Sequence, residues 1–350
     1  MLCGAAIAFA PFTVHPLPFT PSSIHAQQPI ISPPHLVKLA HTYSIVAYDS
    51  ANGDLGVVVQ SKFPNVGGIV PWAKAGVGAV ATQSLSNTAY GELGLELMGR
   101  GATAGEALRI LMRTDTMLQD RQVGMVDARG NAASFSGRTT FDWAGGRVGS
   151  PGGRGSVAGG KGQVIVGRWF SAQGNIMVSG QTVRNLAEAF EKSRGSLADR
   201  LMVALKAGQA GGGDKRGMQS AALLVVRKNG GYLGANDRFI DIRVYDAPDP
   251  IAELVRLLTL HKLHFFPSEP ADLLPLAPDL VARLEPILLA EPVGQPQKWL
   301  TRRQGSATPE FIEALKNFMY WENYDVRVRT DGKIDRIVLE DILKKRDGER

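Results

Sequence analysis

Two runs of β-forming residues joined by an Asn-Gly turn constrain this chain more than any other feature. Thr42-Tyr-Ser-Ile-Val-Ala-Tyr48 leads through Asp49-Ser-Ala-Asn-Gly53 into Asp54-Leu-Gly-Val-Val-Val-Gln60. Such runs on either side of that turn predict an antiparallel hairpin. The pattern recurs at Val123–Val126 and Asn131–Phe135, joined by Asp127-Ala-Arg-Gly130. Two further strands are expected at Ala222–Arg227 and Ile240–Val244, separated by a stretch that opens with Lys228-Asn-Gly-Gly231. The middle of the chain is therefore expected to be dominated by antiparallel hairpins.

Helical spacing of apolar residues interrupts these strands at Ala89–Arg100, Thr103–Arg113, Val183–Lys192, Leu197–Gly208 and Pro250–His261. Pairs of helices between runs of hairpins predict sheets covered by helical layers. That is an α+β or layered αββα architecture, not a doubly wound parallel sheet. Gly145–Gly162 holds nine glycines in eighteen residues and reads as a loop. Beyond Pro267 helical patterns return at Leu273–Leu289, Thr308–Trp321 and Ile334–Lys345, with a Pro-rich break at Glu291–Pro296. A boundary near residues 265–272 divides a body over 42–265 from a smaller helical module over 272–350.

Residues 1–41 do not read as a domain. An apolar stretch from Ala5 to Phe12 precedes a run rich in Pro, Ser and His, and Ile24-His25-Ala26 before Gln27 resembles a signal-peptidase site. No Lys or Arg precedes the apolar run, so the usual cationic start is missing. The segment is expected to be an export signal, with a disordered tail or a misplaced start as the alternative; without export the chain stays in the cytoplasm. No later stretch reaches the roughly 18 apolar residues of a membrane span.

The scarce residues limit the chemistry. One cysteine, Cys3, excludes an internal disulfide and a cysteine-ligated zinc. None of the six histidines lies between Thr42 and Leu260, so neither a Ser-His-Asp triad nor a histidine metal site fits wholly inside the body. Asp127, Asp142 and Asp214 are scattered without ligand spacing, so no metal or other cofactor is expected. The net charge of +6 is not concentrated in a basic run, which gives no support for nucleic-acid binding.

Gly208-Gln-Ala-Gly-Gly-Gly-Asp-Lys-Arg-Gly217 follows a helix and precedes a strand, the reverse of a phosphate-cradling loop. It reads as a loop lining a pocket, with Asp214 and Arg216 available to a substrate or to a local ion pair with each other or Lys215. Thr42 opens the first strand. With no histidine in reach, a hydroxyl nucleophile needs a lysine or a chain-terminal amine as base. A cut before Thr42 would supply an α-amine with a pKa near 7.7–8 beside its own hydroxyl. Taken alone, Thr42 is also simply a β-branched residue in a favoured place.

Five motifs in order carry a family resemblance. They are Thr42–Asp49, Gly53–Phe63, Val70–Ser84, Ala172–Ile176 and Gly208–Ala221. Together they resemble the domain-of-unknown-function 1028 family, whose members are classed with the N-terminal nucleophile hydrolases. The resemblance covers about residues 42–265 and implies a four-layer αββα sandwich. It implies Thr42 as nucleophile, with Lys62 or Lys74 lowering the pKa of its hydroxyl, and Ser84 and Asn175 as oxyanion donors. Ser61 stands where a proteasome-like sequence has an aspartate, and Ser44 is a rival nucleophile on the same strand face. The stretch 308–345, with Phe318–Asn323, Arg327 and Asp331–Leu339, resembles a putative peptidoglycan-binding domain. There Tyr320 and Trp321 either stack on sugar rings or belong to the core of a three-helix unit.

The expectation is an exported amidohydrolase acting on a peptide, an amino-acid derivative or a cell-wall fragment. The rival is a non-catalytic envelope protein that binds a ligand or peptidoglycan in the same fold. Leu254–Leu260 suggests a face for a homodimer.

Overall fold

The computed structural model describes residues 42–140, 143–150, 156–158, 164–165, 167–291 and 297–348. The expected signal segment lies outside the described residues, as do Asp142, much of Gly145–Gly162 and most of the Pro-rich break.

The chain opens with β1 (Thr42–Tyr48), β2 (Leu55–Ser61), β3 (Pro71–Lys74) and β4 (Gly78–Ser84), then α1 (Ala89–Gly99) and α2 (Ala104–Met112). Strands β5 (Arg121–Asp127), β6 (Ala132–Ser136), β7 (Trp143–Gly149), β8 (Ser156–Ala158), β9 (Val164–Ile165) and β10 (Phe170–Met177) follow. Next come α3 (Gln181–Lys192), α4 (Leu197–Ala210), β11 (Ser220–Val226), β12 (Arg238–Val244) and α5 (Pro250–Phe265). The remainder is β13 (Leu273–Pro275), α6 (Pro278–Leu289), α7 (Pro309–Trp321), β14 (Lys333–Asp335) and α8 (Arg336–Arg346). The protein is thus a mixed α/β chain with antiparallel sheets and eight helices among the described residues.

The first sheet runs β12-β11-β2-β1-β10-β7-β9 and the second β3-β4-β5-β6-β8. Only the short outer strands β8 and β9 pair in parallel. Strands β1 and β2 are buried along nearly their whole length because both faces of the first sheet are covered. Tyr43, Ile45 and Ala47 share a core with Leu186 and Phe190 of α3 and Leu201 and Leu205 of α4. Val46, Val57 and Val59 point the other way and pack with Ala79 and Ala81 of β4 and Val126 of β5. On its far face the second sheet packs Val123, Met125 and Phe135 against Tyr90, Met98 and Leu108 of α1 and α2. Strands covered on both faces read as near-continuous apolar runs, as Leu55–Val59 does.

Two expectations need correction. Residues 145–149 are not loop: they belong to β7, where ladder bonds to β10 offset the poor strand propensity of Gly145, Gly146 and Gly149. Residues 273–275 form β13, paired with β14, and the helix begins only at Pro278. Proline favours the first helical turn and the residue before it avoids the helical region, so the start is displaced to that point.

Helix α5 links two apolar clusters. Its Ile251, Leu254 and Leu258 enter the cluster shared with α3 and α4, whereas Leu263 joins one formed by Val281, Leu284, Phe311, Leu315, Val338 and Ile342. The leucines that suggested a second copy are thus largely used within the chain. Arg327 fastens the join: its Nε donates to the Leu263 carbonyl and its Nη2 to the Lys262 carbonyl, each at 2.9 Å, while Nη1 pairs with Asp335.

Candidate functional site

The inner faces of the two sheets change character along their length. One end is the valine and alanine cluster above. The other end carries Thr42 and Ser44 from β1, Ser61 from β2, Gln83 from β4, Gln122 from β5, Ser136 from β6, and Gln173 and Asn175 from β10. All eight are buried and none is charged. Alternation puts these residues in phase with the inward apolar ones, as Gln83 is with Ala81 and Ala79.

Amides hold this end together across the sheets. The Ser44 hydroxyl donates to Gln83 Oε1 at 2.6 Å and accepts from Gln173 Nε2 at 2.6 Å. Gln83 Nε2 donates to the Thr42 carbonyl at 3.1 Å and to Gln122 Oε1 at 2.8 Å. Asn175 Nδ2 reaches the same two acceptors at 3.4 and 2.9 Å. Gln122 Nε2 in turn donates to Ser136 Oγ and to the carbonyls of Gly174 and Gly145. The Thr42 hydroxyl donates to Ser61 Oγ at 3.1 Å. Asn175 Oδ1 is buried without a hydrogen-bond partner among the described residues, an uncommon state for a buried oxygen.

The position of Thr42 in its sheet is specific. It pairs with Ser61 on one side and Asn175 on the other, so the next rung outward belongs to Lys62 and Ile176. There the Lys62 N–H donates to Asp214 Oδ2 at 3.1 Å and the Ile176 carbonyl accepts from the Lys215 N–H at 3.2 Å. Two rungs further, beyond the Met177–Asp214 bridge, the Val178 N–H donates to the Gly213 carbonyl. The segment Gly213–Lys215 therefore fills the rung beyond Thr42. Glycine is required at Gly213, where φ is 62° and a Cβ would meet Gln209 Oε1 at 2.4 Å.

The expected site residues separate into two groups. Thr42, Ser44 and Asn175 come together as described. Asp214 is buried beside them, but its carboxylate is occupied by the Lys62 N–H, by the Arg216 N–H at 2.9 Å and by the Arg216 guanidinium at 3.0 Å. Asp214 and Arg216 form the local ion pair. Lys62 projects to the opposite face of β2 from Ser61, and its Nζ donates to the Met218 carbonyl at 3.2 Å. Lys74 pairs with Gly78 at the end of β4 remote from Gln83 and is exposed. Ser84, with φ of 67°, makes no hydrogen bond to the amide cluster among the described residues. On the other face of β1, Tyr43 donates to Gln209 Oε1 at 3.1 Å. Burial first, then the carboxylates of Asp214 and Asp249, push its hydroxyl well above its ordinary pKa, so it stays protonated.

Among the described residues no three His, Cys, Asp or Glu side chains gather where they would hold a metal. The site offers hydroxyls and neutral amide donors, a set suited to binding a carbonyl or stabilising an oxyanion. Sequence reasoning missed Gln83, Gln122 and Gln173. Only β10 carried a signal, the uncharged polar residues Ser171, Gln173 and Asn175 at a spacing of two; Gln83 and Gln122 stand among apolar or glycine neighbours on their strand face.

This is a mixed α/β protein whose two antiparallel sheets meet over an amide-rich polar end. The model of a family described as "Family of unknown function (DUF1028)" matches residues 42–254, and the chain belongs to that family. The chain is also similar to the crystal structure of a Silicibacter pomeroyi protein of the same family. That match has 25% identity and a TM-score of 0.53 over 63% of this chain and 89% of the other. A search of curated proteins finds no match.

Proposed function

We propose that residues 42–265 form a four-layer αββα sandwich of the N-terminal nucleophile hydrolase kind and cleave an amide bond, with Thr42 as nucleophile. The carrying observation is the rung beyond Thr42. Filled by Gly213–Lys215, it leaves β1 complete from Thr42 onward, at the polar end of the space between the sheets.

In this reading a cut before Thr42 frees its α-amine. That amine takes the hydroxyl proton, the oxygen attacks the substrate carbonyl, and the protonated amine then delivers the proton to the leaving nitrogen. The amine replaces Lys62 as base, because the Lys62 ammonium is engaged with Met218. Asn175 Nδ2, which donates to Gln122 Oε1 at 2.9 Å and holds the Thr42 carbonyl only at 3.4 Å, is the donor this reading assigns to the tetrahedral oxyanion. Ser44 is held between two glutamines, and its role in this reading is to orient them. The substrate is an amide of a peptide, an amino-acid derivative or a wall fragment, and the chain works after export.

Intact-mass measurement of the native protein tests this. A chain beginning at Thr42 supports it, and one beginning at Gln27 or Met1 overturns it. In a screen of N-acyl amino acids and short peptides, Thr42→Ala is expected to abolish any hydrolysis found with an unchanged melting temperature.

For the module over 272–350 we propose glycan binding. Tyr320 and Trp321 are about half exposed, and Trp299 lies 6.3 Å from Trp321 between ring centroids, which offers an aromatic face to a sugar. Co-sedimentation with purified peptidoglycan, lost in Trp321→Ala, is the expected result.

A further inference from the structure

An open surface pocket of about 390 Å³ lies on the helix-covered side of the first sheet. It is lined by Lys206 and Gln209 of α4, by Met218 before β11, and by Asp249, Ile251, Ala252 and Val255 at the start of α5. Its volume falls toward the small end of the roughly 300–1,000 Å³ typical of ligand pockets. It is separate from the amide cluster, since it lies behind Tyr43 and not on the inner face of β1.

The chemistry of the lining is mixed in a definite way. Met218, Ile251 and Val255 give apolar wall. Lys206 and Asp249 bring opposite charges, yet neither belongs to an ion pair among the described residues. Asp249 uses Oδ1 to accept the Ala252 N–H at 2.9 Å, which caps α5, and its other oxygen makes no hydrogen bond among the described residues. The floor is held in place: Gln209 Oε1 accepts from Tyr43, and the Met218 carbonyl accepts from Lys62.

We propose that this cavity binds a free α-amino acid with an apolar side chain. Its carboxylate pairs with Lys206, its ammonium with Asp249, and its side chain lies against Met218, Ile251 and Val255. Lys206 and Asp249 are both exposed, so each offers a charge-assisted contact: a zwitterion meets both, whereas a ligand with only one charge meets one. This site does not depend on Thr42 being a nucleophile.

Titration calorimetry of the full chain with L-leucine tests the proposal. Saturable binding below about 10 mM is expected, with isoamylamine and 4-methylpentanoate, which each keep one charge, weaker by at least roughly tenfold. Lys206→Met and Asp249→Asn are each expected to weaken leucine by about tenfold. Asparagine still caps the helix, so Asp249→Asn stays folded. Ala252→Trp, which fills the cavity, is expected to abolish binding; if it fails to fold by thermal melt, the two charge variants decide. No leucine binding to the folded wild type overturns the proposal. So does binding that survives Ala252→Trp or both charge variants, or equal affinity for a singly charged analogue.

Discussion

The hydroxyl of Ser44 in the first sheet donates to the side-chain oxygen of Gln83 in the second at 2.6 Å. That bond fixes which way the Gln83 amide points, so its nitrogen faces the Thr42 carbonyl and Gln122 Oε1. The Gln173 amide is oriented from the other side, giving its nitrogen to Ser44 and accepting from the Ser171 hydroxyl at 2.8 Å. Each amide in the chain has one sensible orientation, set by its neighbours.

Gln122 is the hub of this arrangement: its Oε1 accepts two bonds and its two Nε2–H groups are shared among three acceptors. Replacing it by leucine keeps most of the volume and strands several buried partners. Gln122→Leu is expected to lower stability by about 3 kcal/mol or more in urea unfolding. Lys74→Ala, at an exposed strand end, is expected to change it by less than about 0.5 kcal/mol.

Gly124 on β5 lies directly beneath Gln173. A Cβ there would come within 2.0 Å of Gln173 Oε1. Gly124→Ala is therefore expected to displace the Gln173 amide from Ser44 and to destabilise by about 1–3 kcal/mol. Paired with Ser44→Ala in a double-mutant cycle, it should be clearly non-additive; simple additivity would show that the two residues are not coupled.

His261 packs at a tilt against Phe265 and edge-on to Phe266, with ring centroids at 4.8 and 5.9 Å, and its Nε2 is buried without a hydrogen-bond partner among the described residues. Burial lowers its pKa, against a smaller opposing effect from the Phe239 backbone. The unfolded chain then binds the proton more readily than the folded one. This contribution to stability is intact above the ordinary histidine value near 6.5 and is lost as pH falls through it. His261→Phe is expected to flatten the loss of stability between pH 7 and 5, measured by denaturant midpoints (~pH steps of one unit).

Arg327 and Asp335 are both buried, and the guanidinium also holds two carbonyls at the end of α5. Arg327→Met leaves the buried Asp335 carboxylate without its counter-ion, holding the hydrogen bond that caps α8, at an expected cost of about 3–5 kcal/mol. The helices after α5 should then melt before the sheets, as an early step in calorimetry that the wild type lacks.

Much of the fold was legible because the governing signals are local. The Asn-Gly turn placed β1 and β2 within a residue, and the alternation of Thr42 and Ser44 put both on one strand face. The glutamines stayed hidden because a lone Gln in a strand reads as a solvent-facing residue. Their role appears only when a second sheet, distant in sequence, covers them. The assignment of β7 failed for a related reason, since glycine carries no strand preference and only pairing with β10 decides it. The resemblance implied Lys62 and Lys74, as lysines on strands neighbouring β1, but the Lys62 ammonium donates to the Met218 carbonyl and Lys74 is exposed at the end of β3.

The segment Gly213–Lys215 sits where another strand residue would otherwise extend the central ladder. The backbone partners of Lys62, Ile176 and Val178 are thus supplied from within the body itself. The register of the first sheet is held by residues after Thr42, so a polypeptide whose first residue is Thr42 should reach the same native architecture as the full chain.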